Sequence, residues 1–263
     1  PALLSHTRDF IYLHEQEMAV VTAGGVELST LDGNVFERAP KHITWTPSQA
    51  EKGGYKHFML KEIHEQPRAM VDTLRGRISL ETGDVHFEDV GLDDARVQAI
   101  DRIYICACGT AWHAGLVGKR FIEQWARIPV EVDLASEFRY RDPLVTENSL
   151  FIAVSQSGET ADTLAALKEA KRLGARVLSV CNVMESSIAR ESDDVVYTHA
   201  GPEIGVASTK AFMTQMLALN MVALFLARRR GTATPDVVTH ALDRLSHLPG
   251  LVEQALSDTS AVE

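Results

Sequence analysis

The stretch that decides the fold is LFIAVSQSGETADTLAALKEAKRL, residues 150–173. Its first residues are almost wholly apolar as far as Ser155, which predicts a strand covered by helices on both faces. From Ala161 the apolar residues recur at helical spacing, which predicts a helix that ends near Leu173. A strand, a polar turn and a helix in this order form the repeating unit of a parallel sheet.

The alternation of strand and helix continues on both sides of this unit. The predicted strands are residues 102–108, 130–134, 150–155, 177–182 and 195–198. The predicted helices are residues 112–127, 161–173, 187–191, 208–230 and 235–256. This pattern predicts an α/β fold with a doubly wound, parallel, five-stranded sheet.

Length and composition exclude several classes of protein. With 263 residues, 45% of them hydrophobic, the chain can bury a full globular core. Its formal net charge of −10 gives no broad attraction for polyanions, so neither nucleic acid nor a membrane is expected as a partner. Residues 1–9 show no secretory signal, so a cytoplasmic location is expected. The apolar run 212–227 contains Gln215 and Asn220, and we predict a buried helix there.

The three cysteines predict neither a disulfide framework nor a metal site. Cys106 and Cys108 are separated by one residue, and Cys181 is distant in the sequence. This spacing does not match the patterns of four-ligand zinc sites. We therefore expect structural or site-lining thiols, and we predict no metal and no cofactor.

The flanks of the alternating region, residues 94–233, have a different character. Residues 1–45 alternate short apolar segments with glycine-containing turns, which predicts strands and hairpins too few to form a core alone. Residues 46–93 are polar and helix-prone and are predicted to be a linker. We expect the first segment to be the end of a domain that begins outside this sequence, and residues 234–263 to be a helix that leads into a further domain.

Three polar segments follow predicted strands, where open parallel sheets bind their ligands. They are Cys108-Gly109-Thr110, residues 155–160 and residues 203–210. The first and third are also compatible with simple helix caps. The second packs three hydroxyls, an amide and a glycine into six residues at a helix start, which favours a phosphate monoester. It has no nearby lysine of the kind that a nucleotide-binding P-loop carries.

The three segments together resemble a known family. SQSGETADT, with CGT before it and EIGVASTKAF after it, resembles the first SIS (sugar isomerase) domain of the glutamine:fructose-6-phosphate aminotransferases. EKGGYKHFMLKEIHEQP at residues 51–67 and ASEFRYRD at residues 135–142 are similar to stretches of that family that other SIS proteins do not share. The resemblance implies a flavodoxin-like SIS domain at residues 94–233 and the last strands of a glutaminase domain at residues 1–45.

The resemblance also implies a set of site residues. The residues implied to bind the sugar phosphate group are Ser155, Gln156, Ser157 and Thr160. The residues implied to line the sugar pocket are Cys108, Gly109 and Thr110 on one side and Val206, Ala207 and Ser208 on the other. Many relatives have serine where this chain has Ala111, so one hydroxyl contact is expected to be absent.

Members of this family convert fructose 6-phosphate and glutamine to glucosamine 6-phosphate. Their catalytic lysine, glutamate and histidine correspond to positions after Glu263, and their glutaminase nucleophile to a position before Pro1. The resemblance therefore implies that this chain has no catalytic residue and binds fructose 6-phosphate or glucosamine 6-phosphate without converting it. Glutamine would act only through the glutaminase domain, and the full enzyme would be a homodimer. Lys168 and Lys210 are the candidate substitutes for the lysine, but nothing in the sequence shows the desolvation or neighbouring cation that either would need.

Two other functions stay open from the sequence. One is a SIS module that senses sugar phosphates in a transcription regulator, although residues 1–45 predict strands where a helix-turn-helix is needed. The other is a complete single-domain isomerase that acts as an oligomer and uses Glu159, His113 or His199. Each of these three residues is also compatible with a surface or packing role.

Overall fold

A computed structural model describes residues 6–43 and 51–258 of the chain. The chain divides into two compact units, Pro1–Gly53 and Gly54–Glu263. The predicted domain boundaries at residues 45, 93 and 233 stay predictions.

The first unit consists of short antiparallel strands. Strands β2 (Glu17–Thr22), β3 (Gly25–Thr30) and β4 (Val35–Phe36) form one sheet, and β1 (Asp9–Phe10) pairs with β5 (Lys41–His42). The predicted short strands and hairpin turns are therefore confirmed. Most apolar side chains here are exposed, and in the described part of the unit Leu28 is the one buried hydrophobic residue.

The second unit contains a five-stranded sheet. Its strands are β8 (Arg102–Ala107), β9 (Val130–Leu134), β10 (Ser149–Ser155), β11 (Arg176–Cys181) and β12 (Asp194–Tyr197). Their spatial order is β12-β11-β10-β8-β9, and every neighbouring pair is parallel. This is the flavodoxin-like order, and the predicted doubly wound sheet is confirmed.

Helices cover both faces of this sheet. One face carries α4 (Thr110–Trp125) and α8 (Lys210–Arg230), which pack together with α9 (Pro235–Ser257) in the larger core. The other face carries α5 (Ala135–Phe138), α6 (Ala161–Arg172) and α7 (Ser187–Glu191) around a second core. The strands between them are buried on both sides, which explains their nearly continuous apolar sequence.

The region before the sheet folds within the same unit. It contains α1 (Phe58–His64), α2 (Gln66–Leu74), the hairpin strands β6 (Ile78–Ser79) and β7 (Asp84–Val85), and α3 (Asp94–Ala99). The predicted helical character is confirmed for α1 and α2, whereas the start of the predicted linker, residues 46–50, lies outside the described residues. The β6–β7 hairpin and α3 were not predicted, because these elements are too short to show a periodicity.

Several predicted boundaries differ from the structure for identifiable reasons. Strand β12 begins at Asp194, a charged residue that is fully buried because Arg176 donates to it at 2.6 and 2.8 Å. Helix α4 begins at Thr110, directly after the turn at Gly109, where φ is +60°.

Helix α8 begins at Lys210 and is buried along most of its length, as predicted for residues 212–227. It is long and apolar enough to cross a membrane, and 78% of its apolar window is buried inside the protein.

Candidate functional site

The candidate site lies where the strand order of the sheet reverses. The chain runs from β8 out to the edge strand β9 and then returns to β10 on the other side of β8. Ala107 pairs with Val154, so the segments that follow β8 and β10 leave the sheet side by side. Reversal of strand order opens a crevice beyond the carboxyl ends of the strands, which is where such sheets bind ligands.

The loop after β10, residues 155–160, is organised by its own hydroxyl groups. Ser155 is buried, and its Oγ lies 3.0 Å from Thr160 Oγ1 and accepts from the Gly158 N–H at 3.0 Å. Ser157 Oγ accepts from the Glu159 N–H at 3.2 Å. The loop leads directly into the 12-residue helix α6, whose N-terminal N–H groups and dipole favour an anion.

Gly158 fixes this loop against the protein core. Its φ is +66°, and a Cβ at this position would lie 1.9 Å from the Oγ of buried Ser186. Its carbonyl accepts from the Ile188 N–H at 2.9 Å, and Glu159 Oε1 accepts from the Ser187 N–H at 2.7 Å. Two consecutive residues of the 155–160 loop therefore hydrogen-bond to the first residues of α7.

The segment after β8 lies beside this loop. Cys108 is half-buried, and Thr163 Oγ1 on α6 donates to its Sγ at 3.8 Å, whereas Gly109 and Thr110 are exposed. Ala111 is buried in the larger core, so its methyl group packs where many relatives are expected to have a hydroxyl. The structure thus brings the first two predicted segments together at one edge of the sheet.

The cysteines differ in their surroundings. Burial raises the pKa of Cys181 to about 12, and burial also raises the pKa of Cys106 well above its ordinary value. Cys108 is the partly exposed cysteine of the three. The expectation of structural thiols holds for the two buried cysteines, and Cys108 lies at the rim of the candidate site.

The third predicted segment is an exposed loop, residues 203–209. Val206 is 105% exposed and Ala207 is also exposed, while the Ser208 hydroxyl donates to Glu203 Oε2 at 3.0 Å. Glu203 Oε1 also accepts from the N–H groups at the start of α8, which explains why that helix begins after Ser208. The hydrogen bond described for the Ser208 side chain stays within this segment and does not run to the 155–160 loop.

Asn182 joins the 155–160 loop to residues 198–201, which lead to the 203–209 loop, and this role was not predicted from the sequence. Its backbone N–H donates to the Gln156 carbonyl at 3.2 Å. Its side chain donates to the Gly201 carbonyl at 2.7 Å and accepts from the Thr198 hydroxyl and the Ala200 N–H at 3.1 and 2.8 Å. Asn182 is buried, and each of its bonds joins neighbouring strand ends that are distant in the sequence.

The lysines considered as substitutes for a catalytic residue are both engaged. Lys210 is 3% exposed, and its Nζ donates to Glu65 Oε2 at 2.6 Å. Lys168 Nζ lies 3.9 Å from Glu191 Oε1. An imine-forming lysine needs a free amine, so these contacts disfavour both candidates.

The three residues of the single-domain alternative also have structural contacts. Glu159 is tied to α7, His113 Nδ1 lies 3.1 Å from the Gly109 carbonyl, and the His199 ring lies 6.2 Å from the Tyr197 ring in β12. In the described ranges 6–43 and 51–258, no group of three His, Cys, Asp or Glu side chains could hold a metal ion.

Comparison with known proteins agrees with this fold. The SIS domain family model matches residues 98–225. Glutamine–fructose-6-phosphate aminotransferases from Clostridium acetobutylicum and Symbiobacterium thermophilum are 51% and 54% identical over all 263 residues. The chain spans 43% of the length of each of these relatives.

A solved structure shows the same fold. The C-terminal domain of the glucosamine-fructose-6-phosphate aminotransferase from Francisella tularensis is 42% identical, with a TM-score of 0.74. The match covers 79% of this chain and 57% of that one. The chain therefore contains a SIS domain and corresponds, over its whole length, to part of the glutamine–fructose-6-phosphate aminotransferases.

Proposed function

We propose that this chain provides the sugar-phosphate site of an enzyme that forms glucosamine 6-phosphate from fructose 6-phosphate and glutamine. The observation that carries the proposal is the 155–160 loop, whose hydroxyl groups cluster at the N-terminus of α6 where the strand order reverses. Hydroxyl and backbone N–H donors suit a phosphate monoester at such a position. The names of the relatives support the choice of sugar.

Each of the three segments has a role in this proposal. Ser155, Gln156, Ser157 and Thr160 bind the phosphate group. Cys108, Gly109 and Thr110 line one side of the sugar, and Val206, Ala207 and Ser208, of which the first two are exposed, line the other. Because the second wall is exposed, the site is open on that side in this structure.

The remaining steps of the reaction are assigned to other parts of the enzyme. The lysines near this edge are engaged by carboxylates, so we propose that the chain binds the sugar phosphate without converting it. Glutamine is used by a separate glutaminase domain, of which residues 1–45 are the final part, and residues 46–93 form the linker. We further propose a homodimer that acts in the cytoplasm.

The test is a calorimetric titration of the chain with fructose 6-phosphate and with glucosamine 6-phosphate. Ser155→Ala and Thr160→Ala are each expected to weaken binding about tenfold or more, because each removes a hydroxyl from the anion site. Thr160→Ser keeps the hydroxyl and is expected to retain most of the affinity. Ser257→Ala removes a hydroxyl at the far end of α9 and is the matched control.

The same samples test the absence of turnover. Wild-type chain incubated with glutamine and fructose 6-phosphate is expected to form no glucosamine 6-phosphate. A folded wild-type chain that binds neither sugar phosphate would contradict the site assignment, and equal affinities in Thr160→Ala and wild type would contradict the role of that hydroxyl.

A further inference from the structure

Helix α1 lies outside the part of the chain that matches the SIS family model, yet it contacts the candidate site. Glu62 on this helix is 2% exposed. Its carboxylate accepts from the Ile204 N–H at 2.6 Å and from the Gly205 N–H at 3.1 Å to each oxygen. A residue 142 positions away in the sequence from Ile204 thus binds the 203–209 loop.

The fit between this carboxylate and the loop leaves no spare room. A Cβ added to Gly205 would lie 2.5 Å from Glu62 Oε2, although the backbone there has no left-handed strain. The absence of a side chain at Gly205 therefore allows the carboxylate to approach both N–H groups. Glycine at this position is explained by that close approach.

A second contact ties the same helix region to the end of the loop. Glu65 accepts from Lys210 at 2.6 Å, and Lys210 is the first residue of α8. Lys61 Nζ lies 3.5 Å from the other oxygen of Glu65. The loop is consequently held at Ile204 and Gly205 near its start and at Lys210 after its end, while Val206 and Ala207 between these points stay exposed.

Bonds from N–H groups to an ionised carboxylate are among the stronger protein hydrogen bonds. A buried carboxylate is tolerated only when such partners compensate for its lost hydration. Both oxygens of Glu62 are engaged and the side chain is buried, so it cannot reach a sugar in the crevice. Its effect on a ligand must pass through the loop that it binds.

We infer that Glu62 is a positioning residue that holds the 203–209 loop as the second wall of the sugar site. This inference rests on the proposed function and deepens it, because it makes helix α1 part of the sugar-recognition apparatus. The phosphate group is held by the 155–160 loop, which has its own internal hydrogen bonds. Loss of the Glu62 contact should therefore affect the sugar and spare the phosphate.

The experiment compares two ligands on the same chain, fructose 6-phosphate and inorganic phosphate. Glu62→Gln replaces one acceptor oxygen by an N–H donor that faces the loop N–H groups. We expect roughly tenfold weaker binding of fructose 6-phosphate and a change of less than about twofold for inorganic phosphate. Glu81→Gln, at an exposed carboxylate elsewhere in the unit, is the matched control.

A second readout does not depend on any ligand. Amide hydrogen exchange at Ile204 and Gly205 is expected to accelerate in Glu62→Gln, while exchange in the 155–160 loop stays unchanged. Gly205→Ala should reproduce both effects, since its methyl group would displace the carboxylate. This variant provides the test if Glu62→Gln fails to fold.

The outcomes separate the two proposals. If wild-type chain binds fructose 6-phosphate and both variants bind it equally well with unchanged amide exchange, the role of Glu62 is overturned and the proposed function stands. An equal loss for both ligands overturns the positioning role in favour of general destabilisation. Failure of the folded wild-type chain to bind fructose 6-phosphate overturns the proposed function, and the inference with it.

Discussion

The two polar loops at the carboxyl edge of the sheet are held in place in different ways. The 155–160 loop is fixed by contacts among its own residues and with the nearby start of α7. The 203–209 loop keeps its middle residues exposed and is held by Glu203 within it and by Glu62 and Glu65 from a helix far away in the sequence. The first loop is held from within and by a segment 28 positions away, whereas the second depends on a residue 142 positions away.

This difference predicts how each loop responds to change. A local loop built into the core should share the stability of the whole unit, because its contacts open only when the core opens. A loop held from outside should loosen when its distant partners are altered, with little cost to the core. Sugar phosphates join the two loops in our proposal, since the phosphate group binds the first and the sugar approaches the second.

The largest effect is expected from Gly158→Ala in the local loop. The new methyl group would lie 1.9 Å from Ser186 Oγ at a backbone φ of +66°, so overpacking and backbone strain add. We expect the free energy of unfolding to fall by about 3 kcal/mol, measured by urea denaturation followed by circular dichroism.

Two matched variants separate the cost of backbone strain from the cost of overpacking. Gly231→Ala has a similar φ of +69° with no atom near the new methyl group, so strain alone should cost about 1 kcal/mol. Gly205→Ala, in the other loop, brings its methyl group too close only to the flexible end of the Glu62 side chain, with the Met59 Cα at 3.5 Å and an ordinary φ, and should cost about 1 kcal/mol. Equal costs for Gly158→Ala and Gly205→Ala would remove the distinction between the loops.

An intermediate effect is expected from Asn182→Ala, which removes the three side-chain hydrogen bonds of Asn182. The side chain hydrogen-bonds to Ala200 and Gly201, which lead to the 203–209 loop. The backbone N–H donates to the Gln156 carbonyl. Truncation leaves the buried Thr198 hydroxyl and the Ala200 N–H without this acceptor, so we expect a loss of about 2 kcal/mol of unfolding free energy.

Amide exchange should locate the damage of this substitution. Protection is expected to fall more at residues 198–209 than in the 155–160 loop, because the backbone contact to Gln156 survives. Asn148→Ala, at an exposed asparagine, is the control and should leave both regions unchanged. Loss of protection in both loops together would show that they form one cooperative structure.

The smallest effect is expected from pH, through His199 on the path from β12 to the second loop. Burial, with Arg77 nearby, holds the pKa of His199 below its ordinary value of 6.5, while Asp72, Asp89 and Glu88 oppose the shift. The folded protein thus favours neutral His199. Its contribution to stability is present above pH 6.5 and is lost as the pH falls through the lowered folded pKa.

The measurement is urea denaturation at several pH values between 5 and 8. His199→Asn should give a flatter pH dependence than wild type, since asparagine does not titrate and tolerates the positive φ of +51°. The 155–160 loop contains no histidine, so no histidine of that loop contributes to this slope. An unchanged slope in the variant would assign the pH dependence to other groups.

The elements that the sequence predicted well are those with a clear local pattern. The strand that ends at Ser155 and the helix that begins at Ala161 were predicted at their observed ends, because an apolar run and a helical periodicity are visible in the chain itself. The hydroxyl-rich loop between them was also recognisable as an anion site from its residues alone. Its role in binding a sugar phosphate stays a prediction.

The elements that the sequence missed depend on partners far away in the chain. Strand β12 was predicted, but its start at buried Asp194 cannot be predicted until Arg176 is known to lie beside it. Helix α1 could be predicted from its composition and by its resemblance to relatives, yet nothing local shows which of its glutamates is buried.

The sequence by itself determined the order of strands and helices, the parallel sheet and the first polar loop, because periodicity and turn chemistry act over a few residues. Only the tertiary structure decided that Asn182 joins the 155–160 loop to residues 198–201 and that Glu62 reaches the Ile204 and Gly205 N–H groups. The physical reason is that a buried polar or charged group is stable only where folding supplies its partners, and those partners lie far from it in the sequence.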